Sequence, residues 1–216
     1  MIPIKDTQAP AFTLLVTIIL CVNIIMFIEE LSLGPQILEP FSVSPFNLLS
    51  CLKTGQPDLM DIHLSILVSG FMHGGYIHLF ANMVFFLVFG PGVEKALGPL
   101  KFILFYLSAI FVSFYTHTLV HASSNIPVIG ASGAIAAIMG AHMIFYPRAR
   151  ISTIIPLLFF IRVIEIPSIV FMPIWFGLQA ANGCISPGMH EPVAWFSHIG
   201  GFIFGLACSI HSKWLK

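Results

Sequence analysis

Six apolar stretches alternate with short polar ones along the chain, and their lengths set the first expectations. Ala11–Ile28 is long enough to cross a hydrocarbon core of ~30 Å at about 1.5 Å of helical rise per residue. Glu29 to His63 is a long connection rich in proline, serine and acidic groups, and its apolar runs, Ile37-Leu38 and Leu49 to Leu52, are too short to span. A second span is expected over roughly Ile66–Phe89, ending at Gly90-Pro91-Gly92, with Gly74-Gly75 delaying the regular helix until about Tyr76. A polar turn with Glu94, Lys95, Gly98, Pro99 and Lys101 leads into a third span, Phe102–Val120, and His121 to Pro127 returns the chain. The fourth stretch, Ser132–Tyr146, is too short to cross alone. Arg148 and Arg150 end it, and Ile151 to Glu165, interrupted by Pro156, Arg162 and Glu165, is expected to lie at the membrane surface. The fifth span, Pro167–Ala181, carries Pro173 and Gly177 and is expected to be a bent, mobile wall. After a loop of Asn182 to Pro192, the sixth, Val193–Ile210, ends at Lys213 and Lys216. The pattern predicts an all-α polytopic membrane protein, a six-transmembrane-helix bundle in a single domain over residues 1–216.

Composition agrees: 57% of residues are hydrophobic and only 8% charged, with a mean hydropathy of +0.97, which excludes a soluble domain of this size. Nine acidic and nine basic residues cancel, so net charge points to no nucleic-acid partner. Their placement is more informative. Six spans put Lys5, Lys95, Lys101, Arg148, Arg150, Arg162, Lys213 and Lys216 on one face and leave Lys53 on the other. By the positive-inside rule the first face is cytoplasmic. The expected setting is a bacterial inner (plasma) membrane with both termini cytoplasmic and the first span retained as an anchor, since no small-residue cleavage site follows it. Cys21, Cys51, Cys184 and Cys208 show no C-x-x-C spacing; Cys21 and Cys208 read as packing residues, and a Cys51–Cys184 disulfide stays open.

Three polar stretches fall at one depth in this scheme. Counted from the basic or acidic cytoplasmic ends, Ser132, His198 and His78 lie roughly 22 to 24 Å up their helices and Asn82 roughly 18 Å. All four belong to the outer half of the bilayer. On the last helix His198, Gly201 and Gly205 share a face, and the fourth helix offers Gly133, Ala136, Ala137, Gly140 and Ala141. Smooth faces of this kind let helices approach closely. By themselves they read as packing seams; with a serine and a histidine at their tops they read as a hydrolytic site. Ser132 needs a neighbouring base to become a nucleophile, and His198 is that base and later the acid for the leaving amine. No carboxylate is placed to orient His198: Glu191 is in a loop and Asp58 and Asp61 are outside the membrane, so a dyad is expected. His78 and Asn82, at i and i+4, together with the Ser132 backbone N–H, are the candidate oxyanion donors. Asn82 alone also reads as an ordinary interhelical hydrogen bond. Supporting roles fall to His73, bracing the first loop, and to Gly133. His117, His121, His142 and His211 read as structural or interfacial. No metal site or other cofactor is expected, for want of carboxylate or thiolate company around the histidines.

In this order, the stretches Phe71-Met72-His73-Gly74-Gly75-Tyr76-Ile77-His78-Leu79-Phe80-Ala81-Asn82-Met83, Gly90 with Val93-Glu94 and Gly98, Gly130-Ala131-Ser132-Gly133-Ala134, and His198-Ile199-Gly200-Gly201 resemble the rhomboid family of intramembrane serine proteases. The resemblance implies Ser132 as nucleophile, His198 as base, His78 and Asn82 at the oxyanion, six helices and cytoplasmic termini. It also implies substrates that are single-span membrane proteins, cut near the outer ends of their transmembrane segments. The chain departs from the family pattern twice. Asp61-Ile62-His63-Leu64-Ser65 stands where a Trp-Arg pair often precedes the second span, and Ala136 stands where an aromatic often packs on the histidine. A catalytically dead relative that binds transmembrane helices is the main alternative, and it would lack the serine or the histidine. A transporter is weaker, since His142 is the one ionisable group near the midplane and no internal repeat is seen.

Overall fold

The short fourth apolar stretch forms the centre of the molecule. In the computed structural model, which describes residues 1–10, 12–34, 39–157, 160–185 and 193–214, it is helix α6 (Ser132–Phe145), buried at every position from Gly133 to His142. A helix apolar all round is stable only when enclosed, and here the enclosure comes from α4 (Tyr76–Leu97), α5 (Pro99–Val120), α7 (Ser168–Ile185) and α8 (Trp195–Trp214). Helix α1 (Leu14–Leu33) packs outside α4 and α5, and two shorter helices, α2 (Pro45–Thr54) and α3 (Leu59–Ser69), fill the long first connection. Among the described residues four helices are long and apolar enough to cross a membrane: α1, α4, α5 and α7.

The closest approach is between α6 and α8. A Cβ on Gly201 would overlap the carbonyl oxygen of Gly133, one on Gly205 that of Ala137, and one on Gly140 that of Phe202. Three glycines on two helices therefore bring backbone against backbone, the small-residue seam expected from the sequence.

Polar side chains pin the helix ends. The buried carboxylate of Glu94, near the end of α4, accepts from Thr13 Oγ1 at 2.5 Å and from the amides of Leu15 at 3.1 Å and Val16 at 2.9 Å. It satisfies the orphan donors of α1 and faces its positive dipole end. At the other end of α1, Glu30 accepts from the His73 amide at 3.1 and 3.2 Å and so holds the turn that leads into α4. Ser44 caps α2 and Asp58 caps α3 through their side chains.

Several expectations need correction. The protein is mostly helical rather than all-α: Arg150–Leu157 and Phe160–Pro167 form an antiparallel hairpin, β2–β3, and Ile2–Asp6 pairs with β2 as β1. The stretch read as a surface-lying segment is a sheet because its residues are β-branched and their burial alternates, Ile151 and Thr153 inward against Ser152 and Ile154. Pro156 is tolerated because it lies beyond Ile154, the last β2 residue that β1 pairs with. The segment before the first stretch is tied to the bundle: Asp6 is buried and accepts from His142 Nε2 at 2.8 Å, while His142 Nδ1 meets Ser168 Oγ at 3.0 Å. The second stretch is interrupted, with α3 ending at Ser69 and α4 starting at Tyr76, as Gly74-Gly75 suggested. It does not stop at Gly90-Pro91-Gly92; α4 continues through Pro91 to Gly98, whose φ of 78° is the true stop. Glu94 and Lys95 are accordingly helical. The first, fifth and sixth stretches each run about one turn further, to Leu33, Ile185 and Trp214. Ile37-Leu38, Lys216 and the Ser186–Pro192 part of the fifth loop, with Glu191, fall outside the described residues.

Candidate active site

Ser132 is the first residue of α6 and His198 lies one turn into α8, each directly above the glycine seam that joins the two helices. The seam brings Ser132 Oγ to 2.8 Å from His198 Nε2. Ser132 is half-buried and His198 is 9% exposed. The glycine before this helix matters for the same reason. Gly130 holds φ at 115°, a region that L side chains rarely adopt, and its amide donates to Ser69 O at 2.9 Å. A Cβ there would stand 2.8 Å from both Cε1 and Nε2 of His78 and 3.7 Å from Asn82 Nδ2. His78 and Asn82 on α4 are thus drawn against the backbone that enters Ser132. Asn82 Nδ2 is buried and has no hydrogen-bond partner among the described residues, a costly state for an amide unless something else uses it.

All four side chains line one cavity of about 880 Å³, which His117 and His121 also line. Those two imidazoles stack with centroids 4.6 Å apart. His73 lies beside the cavity with its ring 5.1 Å from that of His78, and Gly133 gives room where a Cβ would overlap Ser113 Oγ. The remaining histidine read as deep in the fourth stretch, His142, sits away from this cavity, with both ring nitrogens engaged by Asp6 and Ser168.

Two departures noted in the sequence find their substitutes. His63 takes up the anchoring of the first connection, with Nε2 at 2.7 Å from Tyr115 Oη on α5 and Nδ1 at 2.6 Å from Leu59 O. The amides of Phe46 and Val128 tie the same connection to the segment before α6, through Ser124 O and Val43 O, each at 3.0 Å. Around His198, Ala136 offers nothing, but Trp175 on α7 lies 6.1 Å from the imidazole and Trp195 meets it edge-on at 6.0 Å. Sequence reasoning missed a further polar neighbour, Gln179, whose Oε1 lies 2.8 Å from His198 Nδ1. The signal was available: an amide side chain in a largely apolar helix, one turn after Trp175. Helix α7 is seated against α4 through Phe85 with Trp175 and Phe89 with Phe171, at centroid distances of 6.4 and 5.9 Å. The open question of a Cys51–Cys184 bridge is answered by both thiols being free, Cys51 buried with Sγ 3.0 Å from Pro57 O and Cys184 exposed.

The Rhomboid domain family pattern matches residues 63–212, from His63 in α3 to the last turns of α8. The chain is a rhomboid. Among curated proteins it is similar to the presenilin-associated rhomboid-like proteins, mitochondrial, of Rattus norvegicus and Mus musculus, at 27% identity over 163 residues in each case. The match takes in 71% of this chain and 39% of each relative, so this rhomboid spans well under half the length of those proteins. The family match encloses the whole site, including His78, Asn82, Ser132, Gln179 and His198. Of the described elements it leaves out β1, α1 and α2; α1 bears on the site through Glu30 and His73, β1 bonds His142 of α6 through Asp6, and α2 meets the cavity lining through Phe46 and Ser124.

Proposed function

We propose that this rhomboid is an intramembrane serine endopeptidase that hydrolyses peptide bonds in or near the transmembrane segments of single-span membrane proteins. The observation that carries the reading is the 2.8 Å hydrogen bond between Ser132 Oγ and His198 Nε2, made by two helices whose glycines allow them to touch. In this reading His198 accepts the Ser132 proton as Oγ attacks the scissile carbonyl carbon. The resulting oxyanion is held by Asn82 Nδ2, by His78 and by the Ser132 backbone N–H in the first turn of α6. Collapse of the tetrahedral intermediate breaks the C–N bond, and His198 passes its proton to the leaving amine. Water, deprotonated by the same imidazole, then releases the acyl group from Ser132. No cofactor takes part.

The helices α1, α4, α5, α6, α7 and α8 act as six membrane-crossing elements, with α6 reaching only part of the way and leaving the cavity above Ser132 accessible to water. The basic residues gather at the end of the bundle that bears both termini, which supports a cytoplasmic placement of that end. A bacterial inner membrane is the proposed location. The rat and mouse relatives are mitochondrial by name, and the basic asymmetry orients the chain in either setting.

The test is cleavage of a single-span substrate by the purified protein in lipid, with labelling by a fluorophosphonate as an independent readout of the nucleophile. Wild type cleaves and is labelled. Ser132→Ala and His198→Ala each lose cleavage by several orders of magnitude, and the double variant loses no more, because the pair acts as a unit. Unlabelled, inert wild type would instead favour a protein that binds membrane helices without cutting them.

A further inference from the structure

We infer that Gln179 is a positioning residue for the proposed reaction, fixing the tautomer and tilt of His198 in a serine–histidine–glutamine array built by α6, α8 and α7. The inference rests on the hydrolase reading of the site and adds to it a third side chain from a third helix.

A neutral imidazole has one N–H, and the hydrogen bonds around His198 decide which nitrogen carries it. Gln179 presents its amide oxygen to Nδ1 at 2.8 Å, and because an oxygen only accepts, this orientation goes with the proton on Nδ1. Nε2 is then left with its lone pair 2.8 Å from Ser132 Oγ, ready to take the hydroxyl proton. With the other tautomer, the amide would have to turn its NH2 to the Nδ1 lone pair, and an Nε2–H would face a serine it could not deprotonate. The neighbouring rings reinforce the choice. Trp175 lies one turn before Gln179 on α7, its plane inclined 35° to the imidazole, while Trp195 approaches at 90°. One face of α7 therefore supplies both a hydrogen bond and a packing surface to the same histidine. Gln179 is 9% exposed, and an amide does this work without placing a charge in an apolar helix. When the imidazole is protonated during the reaction, Nδ1–H keeps the same acceptor, so the ring need not turn between its roles as base and acid.

The experiment compares the full-length protein in lipid with three variants at this position, reading the His198 tautomer by nitrogen NMR of labelled histidine and cleavage by kcat and KM. Wild type shows Nδ1 protonated and Nε2 free. Gln179→Met fills the space without an acceptor, and Gln179→Asn draws the amide back by one methylene. Each loses the tautomer bias and lowers kcat by about ten- to a hundred-fold while KM moves less than about twofold. Gln179→Glu keeps an acceptor at full reach, retains the Nδ1–H tautomer and recovers most of the kcat lost by Gln179→Met. Folded Gln179→Met or Gln179→Asn protein with wild-type tautomer and wild-type kcat overturns the inference. If neither folds, loss of the Nδ1–H tautomer in Gln179→Glu overturns it. The tautomer is read without substrate, so an inert wild type whose bias still depends on Gln179 ends the hydrolase reading and leaves the positioning of His198 standing.

Discussion

Asn82 carries the sharpest single-residue expectation after the reacting pair. Its Nδ2 is buried without a partner among the described residues, on the cavity wall that Ser132 and His198 share. A donor kept idle in the resting protein contributes only when negative charge develops opposite it, so its loss belongs to kcat. Asn82→Ala is therefore expected to lower kcat by about 10²–10³ with a much smaller change in KM. Fluorophosphonate labelling of Ser132 should persist in the variant, which single-turnover labelling with steady-state cleavage will show. An equal fall in both parameters, or none, would return Asn82 to the role of an ordinary interhelical polar residue. At this scale Ser132, His198, His78 and Asn82 were legible because hydroxyl, imidazole and amide groups are expensive in apolar helices and invite an explanation. Gln179 was equally anomalous, yet only the fold reveals that α7 turns its polar face towards His198. The same holds for Trp175 and Trp195: Ala136 tells what the fourth stretch withholds from the histidine and nothing about what other helices bring.

Between elements, the α6–α8 seam is the feature on which the site's geometry depends. Gly201 and Gly205 were legible as a small-residue pair, and their contact with Gly133 and Ala137 follows the sequence reading closely. The hairpin was not legible, because a continuous apolar run shows no clear alternation and its strand partner, β1, lies 145 or more residues earlier in the chain. Pro91 misled for a different reason. A proline followed by glycine normally ends a helix, but Gly90 lies against Val16 of α1, and packing on both sides of α4 outweighs the lost hydrogen bond. Since a Cβ at Gly205 would overlap a backbone oxygen rather than a movable side chain, substitution there must separate the helices. Gly205→Leu is expected to cost about 1–3 kcal/mol or more of stability. It should also reduce cleavage in the fraction that remains folded, because Ser132 and His198 move apart. Thermal unfolding in detergent and kcat per folded molecule test the two effects separately. Gly177→Leu, at a glycine with open space around it, is the control that should change neither by much.

Across the molecule, the N-terminal strand and the last described turn of α8 meet at the C-terminal end of α6. Strand β1 pairs with β2 just after that helix, Asp6 reaches His142 inside it, and Lys213 Nζ donates to Ile144 O in its last turn. His142 in turn bonds Ser168 at the start of α7, so one buried polar chain links the N-terminal strand, the serine-bearing helix and the helix that carries Gln179. The sequence reading placed both termini on one side by counting spans. The structure brings β1 and the last turn of α8 to the same end of α6 by contacts that need no such count, which makes orientation in the bilayer a separate and testable matter. Lys53 lies in α2, within the first connection, and Arg148 lies just beyond α6; both are exposed. Cys21, Cys51, Cys184 and Cys208 form no disulfide, so replacing them by serine or alanine breaks no crosslink. In that background, Lys53→Cys should react with a membrane-impermeant maleimide added outside sealed cells, and Arg148→Cys should react only after the membrane is opened. Reversal of the two would place the serine cavity near the cytoplasmic leaflet and invert the side from which substrates are cut. Reaction of both from outside would contradict the proposed count of crossings itself, in which α4, α5 and α6 carry the chain from one residue to the other and an odd number of crossings separates them.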